Sequence, residues 1–239
     1  NRVSQEVRVR FSLRPPKKMN FKKYNNLLEL FYNQFENQKS NNQFLTSLKN
    51  PTKDTYSWSE TYSNIVKLSE FLNNKILAKD RCLLVSENRP EWMISDLAIM
   101  LSQGITVPAY TTYTERDYEY LINDCKPSII FASDQAQLDK LINIVRKTNF
   151  IKTVITFEEV KNYDDVEIIN IKNIFGKSDF NEKNFFNLDI KRNDIACIIY
   201  TSGTQGNPKG VMLSHGGILN NCEGAYKLLQ EFISFNPKF

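Results

Sequence analysis

Apolar residues along this chain follow two alternating patterns, helical spacing over ten or more residues and short continuous runs. The helical spacing predicts helices within 21–48, from Ser59 through Ile76, over Glu91–Gln103, Glu115–Cys125 and Leu138–Lys147, and from Gly217 onward. The short runs predict strands at Tyr56–Trp58, Arg81–Ser86, Ile105–Tyr110, Ser128–Ala132 and Val154–Phe157, and on both sides of a loop within 195–215. Strands and helices therefore alternate, which is typical of an α/β fold whose mainly parallel sheet is flanked by helices.

Local signals support several of these boundaries. Pro90 suits the first turn of its predicted helix, where the missing N–H is harmless, and Gly104 ends that helix. The run Cys82–Val85 is apolar throughout, as expected of a strand buried on both faces. The polar stretch after the first helix predicts a loop, and the weakly patterned segment Lys161–Lys191 is expected to be exposed.

Composition and charge describe a soluble globular protein. The chain has 239 residues, 41% of them hydrophobic, which is enough for one large domain or two small ones, and its formal net charge is only +4. Basic residues cluster near the N-terminus at Arg2, Arg8, Arg10, Arg14, Lys17, Lys18, Lys22 and Lys23. No apolar face accompanies them, so a solvated extension is the first interpretation, and contact with an anionic membrane surface or with nucleic acid is the alternative.

Targeting signals are not evident in the sequence. It contains no hydrophobic leader and no apolar run near the roughly 20 residues of a membrane-spanning helix, so we expect a cytoplasmic protein, peripheral at a membrane if the basic segment binds one. Residue 1 is Asn, which leaves a segment upstream open. Nucleic-acid binding ranks last, because no basic groove interleaved with aromatic residues is present.

Cysteine and histidine chemistry is disfavoured. The four cysteines Cys82, Cys125, Cys197 and Cys222 are widely spaced and lie in or beside apolar stretches, which predicts reduced thiols rather than a metal cluster. Cys197 and Cys222 lack a neighbouring group that would activate them as nucleophiles. His215 is the only histidine, and we interpret it, with Ser214, as the start of the last helix rather than as a general base.

The segment 195–215 carries the strongest chemical signal. Gly203 and Gly206 allow successive backbone N–H groups to converge on one anion, and Lys209 adds a positive charge. Hydroxyl groups come from Thr201, Ser202 and Thr204. Neither the Walker A spacing nor the dinucleotide fingerprint is present. A simple hairpin with a polar turn is the alternative to a polyphosphate-binding loop.

Two longer motifs carry a family resemblance. Tyr-Thr-Ser-Gly-Thr-x-Gly-x-Pro-Lys-Gly-Val at 200–211 resembles the phosphate loop of the adenylate-forming superfamily, with Gln205 where that family usually has Thr or Ser. Ser86–Trp92, Asp96–Ile99, Gly104 and Val107–Thr112, preceded by Trp58-Ser59-Glu60, look like the upstream region of long-chain fatty acyl-CoA synthetases. The resemblance spans roughly residues 55–235 and leaves the first fifty or so unexplained.

The resemblance implies the N-terminal part of the adenylate-forming fold, with its C-terminal portion absent from this sequence. We expect an N-terminal extension with a helix over 1–50 and a partial AMP-binding domain over 51–239. The implied activity is ATP-dependent activation of a fatty acid, of long chain, to acyl-CoA through an acyl-adenylate. Lys209 and Thr204 would be catalytic, with Thr204 on Mg²⁺. The implied phosphate contacts are Thr201, Ser202, Gly203, Thr204, Gln205, Gly206 and Lys209.

The implied small molecules are a fatty acid, ATP with Mg²⁺, and CoA, whose site is not identifiable here; no oligomeric state is implied. Adenine and ribose contacts, an acidic Mg²⁺ ligand and a C-terminal lysine lie further downstream in the family. This chain alone is therefore expected to be inactive and to expose unfinished sheet edges. Two alternatives stay open: a synthetase for an aryl or medium-chain acid, and a non-catalytic relative that binds nucleotide or an acyl ligand.

Overall fold

The computed structural model of the protein describes residues 9–11, 19–47, 55–151, 153–177, 189–201 and 208–235. Its strands are β1 (Val9–Phe11), β2 (Gln43–Ser47), β3 (Thr55–Ser57), β4 (Arg81–Val85), β5 (Ile105–Ala109), β6 (Ile129–Ala132), β7 (Thr153–Thr156), β8 (Ile168–Asn170), β9 (Ile195–Thr201) and β10 (Lys209–Ser214). Its α-helices are α1 (Leu27–Glu36), α2 (Trp58–Asn73), α3 (Pro90–Leu101), α4 (Glu115–Cys125), α5 (Gln135–Lys147), α6 (Ile171–Phe175) and α7 (His215–Phe235), preceded by a 3-10 turn at Phe21–Lys23.

The larger sheet is mainly parallel. Within the described residues it has seven strands in the order β10-β9-β5-β4-β6-β7-β8. All neighbouring pairs are parallel except β9 and β10, which form an antiparallel hairpin. This arrangement confirms the predicted α/β fold with a mainly parallel sheet.

Strand β4 at the centre of the sheet is buried on both faces. Leu84 packs into a core formed with α2, α3 and α6, whereas Leu83 and Val85 pack into a second core formed with α4 and α5. Each large apolar side chain buried in this way contributes about 1.5–3 kcal/mol to the free energy of unfolding. Because both faces of this strand lie in a core, its residues Cys82–Val85 are all apolar.

The polar stretch after α1, predicted to be a loop, contains strand β2. Phe44 and Leu45 within it are buried, and the Phe44 ring stacks on Trp58 with ring centroids 3.7 Å apart. The prediction was wrong because these two apolar residues pack against residues outside the polar stretch, among them Trp58. Strand β2 joins β1 and β3 in a small antiparallel sheet, and α1 packs on the same core as α2. A domain boundary near residue 50 stays a prediction.

The segment 161–191, predicted to be exposed, contributes β8 and α6. Ile171 and Ile174 of α6 are buried in the core, and Asn170 caps the helix by accepting a hydrogen bond from the Lys172 amide at 2.9 Å. Two apolar residues at i and i+3 are too weak a pattern for the sequence to reveal this short helix. Residues 178–188 lie outside the described residues.

Helix α4 begins at Glu115 as predicted, whereas α2, α3, α5 and α7 begin one to three residues before their predicted starts. Ser57, rather than Ser59, caps α2 in a reciprocal capping box with Glu60. Asp134 caps α5, so that helix begins before Leu138, and α7 begins at His215 rather than Gly217. In the part of the chain that the structure describes, no helix combines the length and the apolar character needed to cross a bilayer.

The close packing of Gly104 against Ile76 and Ile99 can be tested by substitution. A Cβ atom there would lie 2.9 Å from Ile76 Cδ1 and 3.2 Å from the Ile99 carbonyl oxygen. We therefore expect Gly104→Ala to lower the free energy of unfolding by about 1–3 kcal/mol. Gly224→Ala is the matched control, because nothing lies within 4 Å of its Cβ position in α7, and it should stabilise by about 0.5–1 kcal/mol. Urea unfolding of both variants measures the difference, and equal changes would contradict the packing account.

Candidate functional site: the stem of a glycine-rich loop

The predicted phosphate loop connects the two strands of the β9–β10 hairpin. Thr201, the last residue of β9, is paired with Lys209, the first residue of β10, and Tyr200 is paired with Gly210. Thr201 and Lys209 are both exposed. The hairpin therefore brings the hydroxyl and the ammonium group predicted to contact phosphate to the same end of the sheet.

Residues 202–207 lie outside the described residues. The contacts predicted for Ser202, Gly203, Thr204, Gln205 and Gly206, including Thr204 as a magnesium ligand, therefore stay predictions. The structure does describe the stem of this loop, which consists of Tyr200 and Thr201 at the end of β9 and of Pro208, Lys209 and Gly210 where β10 begins.

The stem lies at the carboxyl end of the parallel strands. Strand β9 runs parallel to β5, with Thr106 opposite Cys197, so the loop follows the carboxyl end of β9. In open α/β sheets this is the edge where ligands bind. The position fits a loop that contacts a small molecule.

Helix α4 contacts the stem at two points. The Tyr120 hydroxyl donates a hydrogen bond to the carbonyl oxygen of Pro208 at 2.9 Å. The Tyr200 hydroxyl donates to the Asp124 carboxylate. Burial, together with this bond to Asp124, raises the pKa of Tyr200, which keeps its hydroxyl protonated as a donor. Tyr120 and Asp124 could not be found from the sequence, because their partners lie far along the chain.

The side chains at the stem suit an anion better than a bare cation. The exposed residues Thr201 and Lys209 of the stem offer a hydroxyl and an ammonium group, and a positive charge repels a free metal ion. No group of three or more His, Cys, Asp and Glu residues within the described ranges could hold a metal. Mg²⁺ keeps waters and phosphate oxygens among its ligands, and its binding together with a phosphate chain at this loop stays a prediction.

Comparison with known proteins identifies the family. A family model described as "AMP-binding enzyme" matches residues 32–238. The chain belongs to this AMP-binding family. The resemblance of the glycine-rich segment and its upstream motifs to adenylate-forming enzymes is thereby confirmed.

Two curated relatives of this AMP-binding chain are named as long-chain acyl-CoA synthetases or ligases. It is 31% identical over 179 residues to "Long chain acyl-CoA synthetase 3" of Arabidopsis thaliana, covering 72% of this chain and 27% of that protein. It is 27% identical over 215 residues to "Long-chain-fatty-acid--CoA ligase 1" of Cavia porcellus, covering 83% and 30%. The chain thus spans about three tenths of the length of these relatives.

Solved structures share the fold. An anthranilate CoA ligase, AuaEII, in complex with anthranoyl-AMP superposes with a TM-score of 0.67 at 18% identity, over 82% of this chain and 36% of that one. The luciferase-like enzyme of the mealworm Zophobas morio superposes with a TM-score of 0.66 at 18% identity, over 83% and 44%. At these identities the likeness concerns the fold alone.

The upstream motif of this AMP-binding chain contains an ion-pair network around the buried Arg89. Arg89 lies 2.8 Å from Glu91 and 3.1 Å from Glu158, measured between side-chain nitrogen and carboxylate oxygen. Glu91 is almost fully buried and also accepts a hydrogen bond from the Tyr56 hydroxyl at 3.1 Å. The Arg89 guanidinium is neutralised by these carboxylates, so the motif serves packing around the start of α3.

The cysteines are poor nucleophiles in this fold. All four are free thiols. Burial raises the pKa of Cys82 and Cys125, and raises that of Cys197 to about 11, which keeps these thiols protonated at neutral pH. A covalent role for Cys197 gains no support from this geometry.

His215 lies at the opposite end of the sheet from the loop. Its amide donates to the Asp194 carbonyl oxygen at 3.0 Å, and its Nδ1 accepts from the Leu27 amide at 3.4 Å. It lines a cavity of about 250 Å³ beside Ile105 and Ile195, the first residues of β5 and β9. The seven residues of β9 separate that cavity from Thr201 by roughly 20 Å. The structure therefore does not bring His215 together with the loop residues.

We expect His215 to make the stability of the protein depend on pH. Burial lowers its pKa, opposed in part by Asp194, so the unfolded chain binds the proton first as the pH falls. The stability contribution is present above the unfolded value of about 6.5 and is lost as the pH falls through it toward the folded pKa. From pH 8 to pH 5.5, the melting temperature should therefore decrease more for the wild type than for His215→Gln.

Comparing the wild type with His215→Gln removes the contribution of other titrating groups to the pH dependence of the melting temperature. Burial raises the pKa of Asp96 to about 6, which opposes the effect of His215, but Asp96 is present in both proteins. A parallel pH response of the two proteins would show that His215 is not the group responsible.

Proposed function

We propose that the protein carrying this chain activates a fatty acid, of long chain, to its CoA thioester through an acyl-adenylate. The observation that carries this proposal is the pairing of Thr201 with Lys209 at the stem of the glycine-rich loop. Membership of the AMP-binding family and the names of the curated relatives support the substrate class.

The loop would act in the first half-reaction. A carboxylate oxygen of the acid attacks the α-phosphorus of ATP, the bond to the bridging oxygen breaks, and its electron pair leaves with pyrophosphate. Negative charge therefore develops on the departing phosphates, which the loop would face. The Lys209 ammonium, the hydroxyls of Thr201, Ser202 and Thr204, and backbone amides at Gly203 and Gly206 would stabilise that charge. The Gln205 side-chain amide can donate in place of a hydroxyl.

Magnesium bound to the phosphates would supply further charge neutralisation, with the Thr204 hydroxyl as its ligand from this loop. In the second half-reaction the CoA sulfur attacks the acyl carbon and AMP leaves. No residue of this chain is assigned to that step. The protein is proposed to work in the cytoplasm, with peripheral membrane contact through its basic N-terminal segment as a separate proposal.

A synthetase for another acid is the second candidate. The fold neighbours include a ligase named for anthranilate, so the fold is compatible with acids other than fatty acids. A relative that binds nucleotide or an acyl ligand without catalysis is the third candidate. The exposed Lys209 at the stem favours a catalytic enzyme over that third candidate.

The test is carboxylate-dependent exchange of labelled pyrophosphate into ATP, with the complete protein and acids from acetate through long-chain fatty acids to aryl acids. We expect the exchange to be fastest with long-chain acids. Faster exchange with another class of acid would retain adenylate formation and change the substrate. No exchange with any acid, in a folded protein that binds ATP, would favour the non-catalytic candidate.

Lys209→Ala in the complete protein should lower the exchange rate by about 10- to 100-fold at limiting ATP, because one positive charge facing the pyrophosphate is lost. Lys227→Ala is the matched control, because that exposed lysine forms an ion pair with Glu223 within α7, and this variant should exchange pyrophosphate like the wild type. Equal rates for the two variants would remove Lys209 from the site.

A further inference from the structure

Helix α4 contacts the stem on both sides of the glycine-rich loop. At the end that leads into β10, the Tyr120 hydroxyl binds the carbonyl oxygen of Pro208, the residue directly before Lys209. On the β9 side, Asp124 accepts a hydrogen bond from Tyr200, the residue of that strand directly before Thr201. Tyr120 and Asp124 are four residues apart, so they share one face of the helix.

Close packing at Gly210 allows the hydrogen bond between Tyr200 and Asp124 of α4. Gly210 lies opposite Tyr200 in the hairpin, and a Cβ atom there would be 3.2 Å from Tyr200 Cζ and 2.8 Å from Ile198 Cγ2. The ring of Tyr200 therefore lies directly over the backbone of β10. With no side chain at Gly210 in the way, the hydroxyl of Tyr200 reaches α4 across the hairpin.

Helix α4 is itself fixed at both ends. A reciprocal capping box between Thr114 and Asp117 begins it, and the Arg81 side chain donates to the Cys125 carbonyl oxygen at 2.7 Å where it ends. Between these two ends of α4, Tyr118 is fully buried, and its hydroxyl donates a hydrogen bond to the Tyr110 carbonyl oxygen at 2.8 Å. The helix is thus a rigid support rather than a mobile cover.

We propose that Tyr120 and Asp124 are positioning residues for the phosphate loop. By holding Pro208 and Tyr200 on one helix face, they fix the spacing and orientation of the loop ends, so that Lys209 and Thr201 face the same phosphate chain. Neither residue contacts the phosphates in this proposal. It rests on the proposed function only in taking ATP as the ligand.

The first variant is Tyr120→Phe in the complete protein, which removes one hydroxyl and keeps the ring. We expect the KM for ATP in pyrophosphate exchange to rise about three- to tenfold, the range for loss of one neutral hydrogen bond, with a nearly unchanged melting temperature. Tyr113→Phe is the matched control, because Tyr113 packs edge-on against Tyr110 and Tyr118 in the same region rather than on the loop stem. It should leave the KM for ATP unchanged.

The second comparison uses Asp124. Asp124→Ala removes the acceptor for the Tyr200 hydroxyl, whereas Asp124→Asn keeps a carbonyl oxygen at the same place. We expect Asp124→Ala to raise the KM for ATP as Tyr120→Phe does, and Asp124→Asn to restore most of the wild-type value. Similar values for the Ala and Asn variants would overturn the positioning role of Asp124.

A third measurement does not depend on activity. Amide hydrogen exchange of the peptide that spans 200–212 should be faster in Tyr120→Phe than in the wild type and in Tyr113→Phe. If the wild type exchanged no pyrophosphate with any acid, the proposed function would fail, and this amide exchange would still decide whether Tyr120 holds the stem. Equal amide exchange in the three proteins would overturn the proposal, as would loss of melting temperature without any change in KM for ATP.

Discussion

Strand β4 is buried between two helical layers, and the positions of the other elements depend on that burial. Leu84 faces α2 and α3, while Leu83 and Val85 face α4 and α5, so both layers are held against one strand. Its neighbours β5 and β6 are parallel to it, which sends the carboxyl ends of these strands to the same edge of the sheet. Because β9 extends this parallel set beyond β5, the loop after β9 lies on that edge, within reach of α4.

Two cations of this fold lie in different surroundings. Arg89 is buried and surrounded by carboxylates, and an arginine held in this way contributes orientation and packing rather than ligand binding. Lys209 is exposed at the end of a hairpin beside a hydroxyl residue. The modest net charge of +4 does not distinguish these cases, since only the surroundings of each cation decide what it can bind.

The sequence predicted what depends on local pattern and failed where distant residues decide. The continuous run of β4, the proline at the start of α3 and the glycine after it are local signals, and the structure confirms the elements that they mark. Strand β2 depends on Phe44 meeting Trp58, and α6 on two isoleucines meeting the core, so neither was predictable. The glycine-rich loop was predicted from its composition, whereas Tyr120 bonds a residue 88 positions away and carries no local signal.

Helix α7 begins at the residue that directly follows β10, with no connecting residue between them. The register of the hairpin therefore sets the rotation of the helix about its own axis, by about 100° for each residue. A bulge near Leu213 and Ser214, where β9 has one extra residue, adjusts this phase. In the resulting orientation Leu219 is fully buried against Phe21 and Tyr24. A single inserted residue in β10 would turn that side chain toward solvent, so the hairpin and the helix can tolerate length changes only together.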